Sequence, residues 1–166
     1  MKFQHVKAPS RDYVIDGKQT SIFLAGAIDM GNAEDWQTQV ARALKKSNNA
    51  ERYVLFNPRR DDWDSSWVQT PSDLNFNRQV RWELDHLEKA DLIVVVFPNE
   101  SKAPISFLEL GLMIGMRKKV IICCGTEFYR RGNLLMLSNR YDIEWADTIE
   151  QLVQKIKRNT KFNDLV

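Results

Sequence analysis

The chain has 166 residues, of which 43% are hydrophobic and 28% charged, and its formal net charge is +2. This composition fits one packed domain and excludes wholesale disorder, while the small net charge gives no support for a nucleic-acid partner or a membrane surface. The N-terminal residues are polar, and no run approaches the roughly 20 apolar residues of a membrane span. Cys123 and Cys124 are adjacent within an apolar run, so we predict reduced thiols and a cytoplasmic protein.

Strand-like and helix-like segments alternate along the chain. A lead-in segment, 1–20, contains a candidate edge strand at 13–15, a domain is predicted over 21–158, and 159–166 form a tail. Strands are predicted at 21–26, 53–58, 91–97, 119–124 and 141–145, and helices at 33–46, 74–89, 105–116 and 148–157. The segment 125–140 is predicted as a loop with one helical stretch.

This alternation predicts a single α/β domain with a flavodoxin-like, doubly wound sheet of five parallel strands. In such sheets, ligands bind beyond the carboxyl ends of the strands. The segments that follow the strands should therefore share one rim, and Gly26 and Asn57 on that rim are candidate substrate-binding residues.

One acid, Glu109, lies in an otherwise apolar predicted helix. An ionised carboxylate is costly to bury among leucines unless the site compensates for it. The nearby helix start carries positive partial charge, which favours the anionic form that a nucleophile needs. The alternative is structural, because Ser106 and Glu109 also have the Ser-x-x-Glu spacing of a capping box. The residues alone leave both interpretations open.

Glu83 flanks the apolar stripe of the helix that precedes the third predicted strand. With Glu109 it forms a candidate carboxylate pair, and retaining glycosyl transfer needs two carboxylates about 5 Å apart. One attacks the anomeric carbon, and the other holds or moves protons at the leaving group. The alternative for Glu83 is a solvated helix acid that pairs with Arg81 or another surface base.

A long loop after the second predicted strand carries Trp63 and Trp67. Two hypotheses are open: these side chains stack on a planar base, or they pack the loop against the sheet. Arg59 and Arg60 precede them and are either candidate phosphate ligands or a solvated surface pair.

The sequence lacks the motifs of several other enzyme classes. It has no GxGxxG or Walker pattern and no GxSxG elbow, so dinucleotide, ATP and serine-hydrolase chemistry have no support. Its two histidines, His5 and His86, are far apart, and no Cys/His cluster has the spacing of metal ligands. We therefore predict no metal and no cofactor.

Six segments occur in order along the chain: FLAGAID, FNPRRDDW, QVRWELDHLEKADLIVVVFP, PISFLELGL, RKKVIICC and FYRRGNLL. In their order and spacing they resemble the nucleoside 2-deoxyribosyltransferase family, in its branch of short bacterial and phage proteins. The resemblance covers about residues 21–135. It implies a flavodoxin-like sheet and an enzyme that cleaves the N-glycosidic bond of 2-deoxynucleosides and passes the sugar to another base or to water.

The resemblance also implies roles for single residues. Glu109, two positions before Gly111, matches the family's nucleophile. Glu83, eight residues before Asp91, matches a second acid that is commonly aspartate. Phe23 matches an aromatic residue, often tyrosine, near the end of the first strand, and it has no hydroxyl to orient the nucleophile.

Two further positions bear on the substrate and the assembly. Asp29 lies where nucleotide-cleaving relatives often have an arginine that helps bind the 5′-phosphate. This favours a nucleoside over a nucleotide, unless Arg59 or Arg60 binds the phosphate instead. Asn133 matches residues through which a neighbouring subunit completes each site, which implies a homo-oligomer. The Asp and Gly-Thr that often precede the nucleophile in the family are replaced at 102–105.

We therefore expect an enzyme acting on a small-molecule nucleoside or nucleotide. Glu109 is the expected nucleophile, and Glu83 either helps protonate the departing base or positions the sugar hydroxyls. One alternative is an N-glycosidase that transfers the sugar only to water. The other is a non-catalytic nucleotide-binding module, which the altered positions 23 and 102–105 keep open.

Overall fold

A parallel sheet flanked by helices forms the centre of the computed structural model, which describes residues 1–28 and 35–160. The strands are β1 (Gln4–Lys7), β2 (Thr20–Gly26), β3 (Tyr53–Asn57), β4 (Leu92–Phe97), β5 (Val120–Cys124) and β6 (Glu144–Ala146). The helices are α1 (Trp36–Lys45), α2 (Leu74–Lys89), α3 (Pro104–Gly115), α4 (Arg131–Tyr141) and α5 (Ile149–Arg158). The strand order is β1-β3-β2-β4-β5-β6, and all five pairs of neighbours are parallel.

The predicted doubly wound α/β architecture is confirmed, with six strands in place of five. The additional strand is β1, whose Gln4 pairs with Val54 at the edge of the sheet. Residues 13–15 do not form the edge strand suggested by the sequence. They run beside β1, where the Gln4 side chain donates to the backbone carbonyl of Val14 at 2.6 Å.

The segment predicted mainly as loop between β5 and β6 contains a full helix, α4. Its first residue, Arg131, holds it against the sheet, because Nη1 donates to the Cys124 carbonyl at 2.7 Å and Nη2 pairs with Asp147 at 2.6 Å. Met136 and Tyr141 of α4 face solvent, so the sequence shows little of the period that marks a core-facing helix.

The two faces of the sheet carry separate hydrophobic layers. Side chains of α2, α3 and α4, including Trp82, Leu110 and Leu134, pack on one face. Side chains of α1 and α5, including Leu44 and Leu152, pack on the other. Because β4 lies in the middle, all six of its residues are buried, which explains its continuous apolar sequence. Within the described parts of the chain, no helix is both long and apolar enough to cross a membrane.

The chain changes direction across the sheet between β2 and β4, and Gly26 lies at this point. Gly26 has φ +139°, and an added Cβ would lie 2.4 Å from the Val96 carbonyl oxygen. The Val96 carbonyl also accepts from the backbone N–H of Ala27 at 3.2 Å. A crevice between strands whose connections leave in opposite directions is the usual ligand position in such sheets.

Candidate active site

Glu109 lies in the second turn of α3, the helix that follows β4. The helix begins at Pro104 with Ala103 as its N-cap, and no side chain caps it. Ser106 is therefore a buried residue inside the first turn, and the capping-box interpretation of Ser106 and Glu109 is wrong. Burial, together with the charge of Glu83, raises the pKa of Glu109 to about 8.

Glu83 lies on α2, whose first turn is capped by Asp73 through the backbone N–H groups of Asn75 and Phe76. Burial raises the pKa of Glu83 to about 7, although a hydrogen bond from Gln79 opposes this rise. The alternative of a solvated acid paired with Arg81 does not hold, because Arg81 Nε donates to Asn77 at 2.8 Å instead.

The structure thus brings the two predicted acids, Glu83 and Glu109, into electrostatic contact from neighbouring helices. Burial raises both pKa values, to about 7 and about 8, so near neutral pH the pair keeps a proton that exposed carboxyl groups would have lost. A pair in this state offers one carboxylate that can attack an electrophilic carbon and one carboxylic acid that can donate a proton.

Two other predicted site residues, Phe23 and Asn57, are fully buried in the sheet. Phe23 has 0% exposure, and its ring centroid lies 6.2 Å from that of Trp82 on α2. The Asn57 side chain is also fully buried, and its Oδ1 accepts from the backbone N–H of Arg59 at 3.0 Å. Its Nδ2 lies 3.0 Å from His5 Nε2, which must accept there because the amide nitrogen can only donate.

The tryptophans of the loop after β3 pack on the loop itself. The ring centroids of Trp63 and Trp67 are 4.9 Å apart, and the Arg60 guanidinium lies 4.6 Å from the Trp67 ring. Arg60 also makes two hydrogen bonds to Asp62, at 2.7 and 2.8 Å. These contacts lie within the loop and not against the sheet, and Trp63 is exposed, so stacking of these tryptophans on a base stays a prediction.

The remaining predicted site residues lie around the same rim. Arg59 Nε is 3.6 Å from Asp35 Oδ1, at the start of α1. Gly26 ends β2 at the crevice described above, and Asn133 is exposed near the start of α4. Asp29 lies outside the described residues.

Sequence reasoning missed Gln79, a residue that contacts Glu83 directly. Gln79 Nε2 donates to Glu83 Oε1 at 2.8 Å and to the Pro58 carbonyl at 2.9 Å. The available signal was the spacing of four residues between Gln79 and Glu83, which places them on one helix face.

Comparisons with known proteins identify the family of this chain. A family model described as nucleoside 2-deoxyribosyltransferase like matches residues 19–128. No curated protein sequence matches the chain.

Three solved structures share the fold at low sequence identity. A conserved protein from Enterococcus faecalis has 12% identity and a TM-score of 0.59, with 84% of this chain and 98% of that chain covered. A 2-deoxyribosyltransferase from Bacillus psychrosaccharolyticus has 18% identity and a TM-score of 0.56, with 88% and 96% covered. A CMP N-glycosidase from Clostridium botulinum has 17% identity and a TM-score of 0.50, with 83% and 98% covered.

The family match spans strands β2 to β5, the crevice between β2 and β4, and both acids of the pair. The solved structures agree with it at the level of the fold. The chain belongs to the nucleoside 2-deoxyribosyltransferase-like family.

Proposed function

We propose that this protein cleaves the N-glycosidic bond of a 2-deoxynucleoside with Glu109 as nucleophile and transfers the sugar to another base or to water. The observation that carries the proposal is the pair of acids, Glu83 on α2 and Glu109 on α3, whose pKa values burial raises to about 7 and about 8. Family membership supports nucleoside chemistry at this pair, and the names of two proteins of similar fold cover both transfer and hydrolysis.

The reaction has two steps. In the first, the Glu109 carboxylate attacks C1′ of the sugar, the C1′–N bond breaks with its electron pair going to the base, and Glu83 donates a proton to the departing base. In the second, the nitrogen of an acceptor base, or a water molecule, attacks C1′ and releases Glu109 while Glu83 takes up the acceptor's proton. The chemistry uses no metal and no organic cofactor.

A nucleoside fits the rim better than a nucleotide does. The guanidinium groups of Arg59 and Arg60 lie beside Asp35 and Asp62, so each arginine already faces an acid. A phosphate would have to displace these carboxylates or bind beside them, at an electrostatic cost.

We also propose that the protein is a cytoplasmic homo-oligomer. Helix α3 and its C-cap residue present a stripe of exposed apolar side chains beside Glu109, which are Ile105 (61% exposed), Leu108 (71%), Leu112 (43%) and Met116 (46%). A second copy of the chain would remove this stripe from water and bring its own residues close to the site. The buried, unpaired thiols of Cys123 and Cys124 support a reducing compartment.

The test is release of free base from a panel of deoxynucleosides, ribonucleosides and nucleotides, with and without an added acceptor base. We expect release from a deoxynucleoside by the wild type and a loss of at least about a thousandfold in Glu109→Gln, which keeps the side chain's shape but removes the nucleophile. Product analysis separates the outcomes: a new nucleoside indicates transfer, and free deoxyribose indicates hydrolysis.

The matched control is Glu100→Gln, which makes the same change at an exposed loop residue. This variant should keep the rate of the wild type. Normal turnover by Glu109→Gln would exclude Glu109 as nucleophile. Tight nucleoside binding without release by the wild type would indicate a binding module.

A further inference from the structure

Gln79 is a buried glutamine whose amide nitrogen joins the carboxyl pair to the end of strand β3. The residue is 4% exposed. Its Nε2 donates one hydrogen to the Pro58 carbonyl at 2.9 Å and one to Glu83 Oε1 at 2.8 Å. Both hydrogens of the amide are therefore used, one on the scaffold and one on the acid.

The Pro58 carbonyl fixes the orientation of this amide. A carbonyl oxygen can only accept a hydrogen bond, so the nitrogen of Gln79 and not its oxygen must face Pro58. With the nitrogen held there, Gln79 presents an N–H to Glu83 whatever the protonation state of the acid. An N–H donor stabilises a carboxylate more than a carboxylic acid, so the arrangement favours ionised Glu83.

The oxygen of the Gln79 amide indicates that position 79 is polar because its nitrogen donates to Glu83 and to Pro58. Gln79 Oε1 is buried and has no hydrogen-bond partner among the described residues. Leaving a buried acceptor unpaired costs stability, and a methionine of similar length would avoid that cost. A residue present only for packing would have no need of the amide.

The charged groups described around Glu83 on α2 and on the loop after β3 have other partners, so the hydrogen bond from Gln79 is the contact that favours ionised Glu83. Glu109 on α3 is the acid that interacts with Glu83 through its charge. On α2 itself, Arg81 donates to Asn77 and Asp85 pairs with Arg11 at 2.6 Å. On the loop after β3, the neighbouring arginines already face Asp35 and Asp62.

We propose that Gln79 is a positioning residue that fixes Glu83 and places the shared proton of the pair on Glu109 while the site is empty. The assignment of a catalytic purpose to this arrangement rests on the proposed function. In the empty site Glu109 is then protonated and cannot attack. Turnover requires the proton to move from Glu109 to Glu83, which leaves Glu109 anionic, and then from Glu83 to the nitrogen of the departing base.

The first test uses the wild-type protein and needs no catalysis. The side-chain amide resonances of Gln79 and the carboxyl carbon of Glu83 are followed by NMR as a function of pH. We expect the Gln79 amide to titrate together with Glu83, with its proton shifted downfield when Glu83 is ionised. A Gln79 amide that does not change as Glu83 titrates would overturn the proposal.

The second test uses two substitutions with opposite expectations. Gln79→Met removes the donor, so the Glu83 titration and the acid limb of the pH–rate profile should move up by about one pH unit. Gln79→Lys supplies a charged donor, so both should move down by a similar amount. A role in packing alone would shift both variants in the same direction or leave both unchanged, and either result would overturn the proposal.

The control is Gln154→Met, the same change at an exposed position of α5, which should leave the titration and the rate profile unchanged. The two readouts also separate this proposal from the proposed function. If the wild type releases no base, the proposed function fails, while the NMR titration still decides whether Gln79 sets the protonation of Glu83.

Discussion

The buried carboxyl group of Glu109 binds a proton more tightly in the folded protein than in the unfolded chain. Burial and the charge of Glu83 raise the pKa of Glu109 from 4.5 to about 8. Between these two pH values the folded state binds more protons than the unfolded state, so the free energy of unfolding falls as the pH rises. The predicted nucleophile is therefore kept at a cost in stability on the alkaline side.

Glu109→Gln should accordingly be more stable than the wild type at pH 8, by roughly 4 kcal/mol, because an amide has no charge to bury. At pH 4.5 and below, where the carboxyl is protonated in the folded state, the two proteins should unfold at nearly the same urea concentration. Equilibrium urea unfolding at both pH values measures this difference, and Glu100→Gln is the control. An equal change at both pH values would contradict the pKa argument.

At the scale of residues, the sequence identified Glu109 because a single acid in an apolar helix is conspicuous. It left the capping box open because Ser106 and Glu109 have the right spacing, whereas the helix begins at Pro104 after an N-cap with φ +46° at Ala103. Gln79 was missed although its spacing of four residues from Glu83 was visible, because its orientation depends on the Pro58 carbonyl, which lies 21 positions away in the sequence.

At the scale of elements, strands β2 and β4 approach closely where Gly26 lies. Gly26→Ala should lower the free energy of unfolding by about 3 kcal/mol or more, because the new Cβ would lie 2.4 Å from the Val96 carbonyl oxygen and φ is +139°. Gly115→Ala at the end of α3 is the matched control, since no atom lies within 4 Å of its added Cβ. The control should be neutral or stabilised by up to about 1 kcal/mol. Chemical denaturation compares the two variants, and similar stabilities would contradict the packing described for the crevice.

Which elements could be predicted depended on where each one packs. Strand β4 was evident because it is buried on both faces and is apolar throughout. Strand β1 was missed because it has four residues, QHVK, of which only Val6 is buried. The full extent of α4 was missed because Met136 and Tyr141 face solvent, which blurs the helical period.

At the scale of the whole molecule, the alternation of strands and helices was enough to predict the parallel sheet, and the carboxyl ends of its strands form the rim of the candidate site. The sequence alone could not give the distances within the rim. Arg60 and Trp67, for example, contact each other rather than standing free for a ligand, and only the packed loop shows this.

The proposed homo-oligomer predicts that a charge on the exposed stripe of α3 disrupts assembly. Ile105→Glu should weaken self-association at least about tenfold, because a carboxylate would have to be desolvated in the interface. An acid near the start of α3 is favourable for the helix itself, so the fold should survive. Sedimentation velocity over a concentration series measures the effect, with Val14→Glu, at 80% exposure, as the control. A wild type that sediments as a monomer at every concentration would exclude the oligomer.

The two buried cysteines of strand β5 can report how often the molecule opens. Burial raises the pKa of Cys123 to about 12 and that of Cys124 to about 11, so neither thiol forms an appreciable amount of thiolate in the folded protein at neutral pH. An alkylating reagent reacts with the thiolate, and these are the only cysteines of the chain. The rate at which the protein is alkylated therefore reports how often β5 is exposed, without any added label.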